Sequence, residues 1–88
     1  MQVIICSPTL FALEVPVYIY KEGETEAKLI GYTPTAELDQ TLFTLAIAHD
    51  ASTILIKGNN EYNRAVAENI RTRISNEYSI DKITVIID

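Results

Sequence analysis

The chain begins with a short apolar, β-branched run, Gln2-Val3-Ile4-Ile5-Cys6, and another, Lys82-Ile83-Thr84-Val85-Ile86-Ile87, lies at its far end. A third run, Ser52-Thr53-Ile54-Leu55-Ile56-Lys57, leads through Gly58-Asn59-Asn60 into a long amphipathic stretch that reaches Tyr78. The runs at residues 2–6 and 53–57 are continuously apolar and bounded by turn-forming residues, and so read as central strands buried on both faces, with residues 83–87 as the final strand. The amphipathic stretch has a helical period, with Tyr62, Ala65, Val66, Ile70, Ile74 and Tyr78 on one side and Arg64, Glu68, Arg71, Thr72 and Ser75 on the other. Strand, helix and strand in that order predict a parallel pair joined by a right-handed crossover.

The earlier half carries a different pattern. Ser7-Pro8-Thr9 closes the first strand, because proline removes a ladder donor. Residues 10–14 read either as a loop packed on the core or as a strand extension. Residues 15–21 alternate, with Val17 and Ile19 against Tyr18 and Tyr20, and Glu22-Gly23-Glu24-Thr25 has the polar, glycine-bearing character of a hairpin loop. A third strand over residues 26–32 then pairs antiparallel with the second. Thr33-Pro34 predicts a helix start, with Thr33 as cap, Pro34 in the first helical position, and Glu37 and Asp39 near the positive end of the dipole. Leu38, Leu42, Leu45, Ala46 and His49 share one face of that helix, while Phe43 and Ile47 lie on the other. A helix apolar nearly all round is covered on more than one side, and in so small a chain a second subunit is one source of cover.

The predicted fold is therefore α/β with a mixed sheet, in the order β-β-β-α-β-α-β: three antiparallel strands, then a parallel pair. Eighty-eight residues form a single domain over positions 1–88, without repeats or linkers. Hydrophobic residues are 48% and charged residues 22%, as in ordinary globular chains. The net charge is −5, and residues 1–44 hold −4 of it, from two lysines against six carboxylates. Such a balance argues against direct binding of a nucleic-acid backbone, which needs a basic footprint. The single cysteine, Cys6, excludes an internal disulfide and a cysteine-based zinc site, and a lone thiol in an apolar strand suits a reducing cytoplasm. No run is long enough for a membrane span, so the expected setting is cytoplasmic, without membrane or cofactor.

The element order resembles the core of the ribonuclease-H-like fold. That resemblance implies metal-binding carboxylates on strand one, on the first helix and at the end of strand four. Strand one here is Val3-Ile4-Ile5-Cys6 and strand four ends in Lys57-Gly58, so only Glu37 or Asp39 matches, and one carboxylate does not hold the two metals of in-line phosphoryl transfer. The resemblance thus implies a truncated, catalytically empty version of the fold. The segment Ile56-Lys57-Gly58-Asn59-Asn60-Glu61-Tyr62 also resembles small bacteriophage and mobile-element proteins.

Few residues suggest chemistry. Gly58-Asn59-Asn60 precedes a helix, where free N–H groups attract anions, but it lacks the second glycine and the Lys-Ser/Thr pair of a phosphate loop. A turn at Gly58 and a cap from Asn59 or Asn60 is the simpler role. His49 beside Asp50 fits the end of the first helix, and neither Cys6 nor Ser7 has a base positioned for it by sequence. Glu22, Glu24 and Glu26 lack the ligand spacing of a calcium loop. Tyr18 and Tyr20 share a face with Tyr32 nearby: open, it is an aromatic patch rimmed by acids; covered, it is core with hydroxyls at the edge.

These features predict a non-enzymatic protein-binding or assembly module, with a protein partner that includes itself as a homo-oligomer. The interaction candidates are Tyr18, Tyr20, Glu22, Glu24, Glu26, Tyr32, Leu42, Phe43 and Ile47. The alternatives are an acidic, phage-encoded inhibitor or nucleic-acid mimic and, as a third class, a metal-dependent nuclease using Glu37 or Asp39.

Overall fold

A computed structural model of the chain describes residues 2–9, 12–78 and 83–88. Its elements are β1 (Gln2–Cys6), β2 (Glu14–Lys21), β3 (Lys28–Pro34), a 3-10 turn (Thr35–Glu37), α1 (Leu38–Ala48), β4 (Thr53–Ile56), α2 (Glu61–Arg73), a π-helical turn (Ile74–Tyr78) and β5 (Thr84–Ile87). The strands form one mixed sheet in the order β3-β2-β1-β4-β5. β2 runs antiparallel to both β1 and β3, whereas β1, β4 and β5 run parallel. The predicted element order and strand pairing are those observed. Leu10 and Phe11, in the segment expected to form a loop or a strand extension, lie outside the described residues, as do residues 79–82.

Alternation along the strands decides what is buried. Ile4 and Cys6 of β1, Val15, Val17 and Ile19 of β2, Ile54 and Ile56 of β4, and Val85 of β5 all turn to one side and are buried there. They form one cluster with Leu38, Leu42, Phe43 and Ala46 of α1 and with Val66, Ala67, Ile70 and Ile74 of the second helical segment. Both helices therefore pack on the same side of the sheet, and they touch each other. The fold measures 33 × 32 × 20 Å, a slab of two layers.

α1 begins later than its sequence suggests. Thr33 is a strand residue opposite Val15, fully buried, and β3 runs on to Pro34 opposite Glu14. The Thr35 hydroxyl donates to the carbonyl of Ala12, the chain turns once as a 3-10 helix, and Glu37 precedes α1 without a side-chain cap. The cap prediction at Thr33 is thus corrected: the sheet ladder holds Thr33 extended and outweighs a local capping signal. At the other end, Asp50 adopts a left-handed φ of 53°. The amides of Asp50 and Ala51 return to Ile47 and Ala46 at 3.2 and 2.8 Å, and His49 is the C-cap. This is the paired closure that a helix makes with a left-handed residue past its end.

α2 starts as its sequence predicts. Gly58 turns with φ 107°, and the Asn60 side chain accepts from the amide of Asn63 at 2.8 Å. The inward face is rotated from the predicted one, however. Asn63 and Ala67 are buried, whereas Ala65 is exposed and Tyr62 half-buried. Asn63 lies inward because its Nδ2 donates to the carbonyls of Lys57 and Gly58, at 3.3 and 2.7 Å. Its Oδ1 has no hydrogen-bond partner among the described residues. Farther along, Arg71 pairs with Glu68 at 2.6 Å and donates to the carbonyl of Val85 at 2.7 Å, fixing α2 to β5.

Candidate interaction face

One side of the sheet carries both helices, and no described element covers the other. The strand register places a row of side chains across that second side: Leu29 of β3, Tyr18 of β2, Ile5 of β1, Leu55 of β4 and Ile86 of β5. A second row holds Tyr20, Val3, Thr53 and Thr84. Neither row contains a charge. Ile86, Leu29 and Tyr18 are 44%, 48% and 37% exposed, and Val3, Ile5, Tyr20 and Leu55 are half-buried between their neighbours.

A bulge enlarges the face. Val17 pairs with Gly31 but the next residue, Tyr18, pairs with Leu29, so Ile30 is an extra residue on β3. Ile30 packs against the core beside Gly31, which has no side chain to place there. Tyr32, opposite Pro16, thereby returns to the same side as Leu29 and stands 60% exposed. The result is an apolar and aromatic surface spanning all five strands, of the kind that marks interaction sites.

The residues singled out from sequence separate into three groups. Tyr18, Tyr20 and Tyr32 do share this face, and no described helix covers it. Glu22, Glu24 and Glu26 lie in the turn between β2 and β3, where Lys28 pairs with Glu24 at 3.3 Å and weakens the acidic cluster. Leu42 and Phe43 are buried inside the chain's own core, at 0% and 4% exposure, which corrects their place among interaction candidates. α1 is apolar on two sides because sheet and α2 both lie against it. Ile47 remains on its outer side at 39% exposure. Sequence reasoning missed Ile5, Leu29, Leu55 and Ile86. For Ile5 and Leu55 the signal is the continuous apolar run, which predicts cover on both faces.

Among the described residues, groups with chemical potential do not converge elsewhere. A cleft of about 230 Å³ between the start of α1 and α2 is lined by Leu38, Asp39, Tyr62, Val66 and Asn69 among others. It is smaller than the ~300–1,000 Å³ usual for small-molecule sites and holds a single carboxylate. The Tyr62 hydroxyl donates to the carbonyl of Thr35 at 3.0 Å and is thus committed to joining α2 to the turn before α1. Among the described residues, no three His, Cys, Asp or Glu side chains come together as a metal site would require. No described helix is long and apolar enough to cross a membrane.

Cys6 is buried, and burial pushes its thiol up from 9.0 to about 12. The thiolate, which is the nucleophile, is therefore scarce in the native protein. Native protein is expected to resist alkylation at neutral pH and to react at once when unfolded. A thiol whose pKa is raised by folding favours the native state fully below pH 9. That contribution is lost as pH rises toward 12, at up to about 1.4 kcal/mol per pH unit. Urea midpoints of the natural chain and of Cys6→Val, measured from pH 8 to pH 11, check this: the natural chain should lose stability more steeply. Equal slopes would show that the thiol is not desolvated.

No protein-family model matches the chain, and no curated protein matches it.

Proposed function

We propose that this chain is a protein-binding and assembly module without catalytic machinery, and that it works through the uncovered side of its sheet. The observation that carries this reading is the uncharged row Leu29–Tyr18–Ile5–Leu55–Ile86, continuous over five strands. Parallel strands as apolar as β1, β4 and β5 occur in sheets covered on both faces, so the missing layer is supplied from outside the described residues. Interfaces draw most of their energy from buried aromatic and aliphatic anchors, and Tyr18, Tyr32 and Leu29 are such anchors on an open surface.

We further read the fold as a ribonuclease-H-like core emptied of its chemistry. The strand order β3-β2-β1-β4-β5, with β2 antiparallel to its neighbours and helices in both later connections, supports that assignment. The positions where the resemblance implies carboxylates hold Val3 to Cys6 on β1 and Lys57-Gly58 after β4. Glu37 and Asp39 are left without the partner carboxylates that metal-assisted cleavage uses.

Thiol labelling of Tyr18→Cys in dilute solution tests the open face. The introduced thiol should react at a rate close to that of an unstructured thiol, while Cys6 in the same molecule stays silent. If the cysteine at position 18 is shielded as well as Cys6, the chain covers this face itself and the reading fails.

A further inference from the structure

The size of the open face and the absence of charge from its two central rows select its occupant. Resting on the reading above, we propose that the occupant is a second copy of this chain, stacked sheet against sheet. Taken as a disc, the broad side of the 33 × 32 Å slab, turns and helix ends included, is roughly 800 Å², of the same order as the ~800 Å² that each partner contributes to a standard stable interface. A single helix, about 10–12 Å across, would lie over two or three strands spaced ~4.8 Å apart and leave the rest of the row in water. Another sheet of the same width covers the whole row.

The row is also arranged for self-pairing. Its midpoint is Ile5, on the middle strand β1. A twofold axis through Ile5, in the plane of the interface and along the strands, places the β3–β2 end of one copy over the β4–β5 end of the other. Leu29 and Tyr18 then meet Ile86 and Leu55, large side chain against large side chain, in the aligned sheet packing with a separation of about 10 Å. Neither central row carries a charge, so no ion is taken out of water without a partner. Each copy brings a net charge of −5. Salt should therefore strengthen the association by screening this repulsion, whereas a basic partner would be released by salt.

Sedimentation velocity of the whole chain over about 1–100 µM tests the proposal, since a dimer forms by mass action with concentration. The expected result is a shift from monomer to twice the monomer mass, favoured by added salt. Leu55→Lys should raise the dissociation constant at least tenfold while leaving the circular dichroism spectrum unchanged. Ile86→Lys, at a more exposed edge position, should act in the same direction and serves if Leu55→Lys does not fold. A monomer at the highest concentration, with Tyr18→Cys freely labelled, overturns the second copy and leaves the open face standing. A dimer indifferent to both lysine variants overturns it too. Shielding of the cysteine at position 18 in dilute monomer removes both.

Discussion

Leu42→Ala is expected to remove about 3–5 kcal/mol of folding stability, the range for truncating a leucine in a core that collapses poorly around the gap. Leu42 is fully buried on α1 within the cluster that joins sheet, α1 and α2, so three elements would have to move to fill the space. For 88 residues at roughly 0.05–0.15 kcal/mol each, the whole stability is about 4–13 kcal/mol, and the variant would lose a large share of it. Urea unfolding at a concentration where the chain is monomeric measures the effect. Ile47→Ala, on the outer side of the same helix, should cost less than about 1 kcal/mol. Equal losses for the two would show that Leu42 is not packed as described.

Gly58→Ala is expected to cost about 2–4 kcal/mol through two separate effects. The first is backbone strain: φ is 107°, where a side chain costs on the order of 1–3 kcal/mol. The second is steric, because a Cβ at position 58 would lie 3.0 Å from Nδ2 of Asn63. That atom cannot withdraw freely, since it holds the carbonyls of Lys57 and Gly58. The Gly58 amide, moreover, donates to the carbonyl of Asp88 at 3.1 Å, so the turn also secures the end of β5. Gly23→Ala provides the comparison: φ is 91°, yet nothing lies within 4 Å of the new Cβ. The difference in unfolding free energy between the two variants isolates the steric part, and a difference near zero would show that Asn63 yields.

Much of this architecture was legible in the hydrophobic pattern. Residues 2–6 and 53–57 have too many consecutive apolar positions for an edge strand with one wet face, and they became β1 and β4. The pattern records that a face needs cover, however, and not what supplies it. Val3, Ile5 and Leu55 thus carry the signature of strands covered on both sides, although the described chain supplies helices to one side only. The same ambiguity misplaced Leu42 and Phe43, because a helix wedged between a sheet and a neighbouring helix has the apolar girdle of one that meets a partner. Thr33-Pro34 failed for another reason: a capping preference of about 1 kcal/mol competed with a strand already paired through Pro34. Asn63 could not be placed by periodicity at all. Its inward position follows from two carbonyls at the Lys57-Gly58 turn that need a donor, a demand written in backbone geometry rather than in apolar spacing.

The extra residue at Ile30 makes β3 a strand written in two phases. Lys28 and Leu29 obey one odd–even rule, whereas Gly31, Tyr32 and Thr33 obey its inverse, so residues three apart in sequence come to share a side. In a phase-continuous strand, Leu29 and Tyr32 would stand back to back: either Leu29 would turn toward the core, or Tyr32 would enter it in place of Gly31 and Thr33. The bulge therefore works as a frameshift in side-chain space. It lets a sheet edge place two large apolar residues outward without altering the residues that hold the helices inward, and it decouples the chemistry of the outer surface from the packing of the inner one.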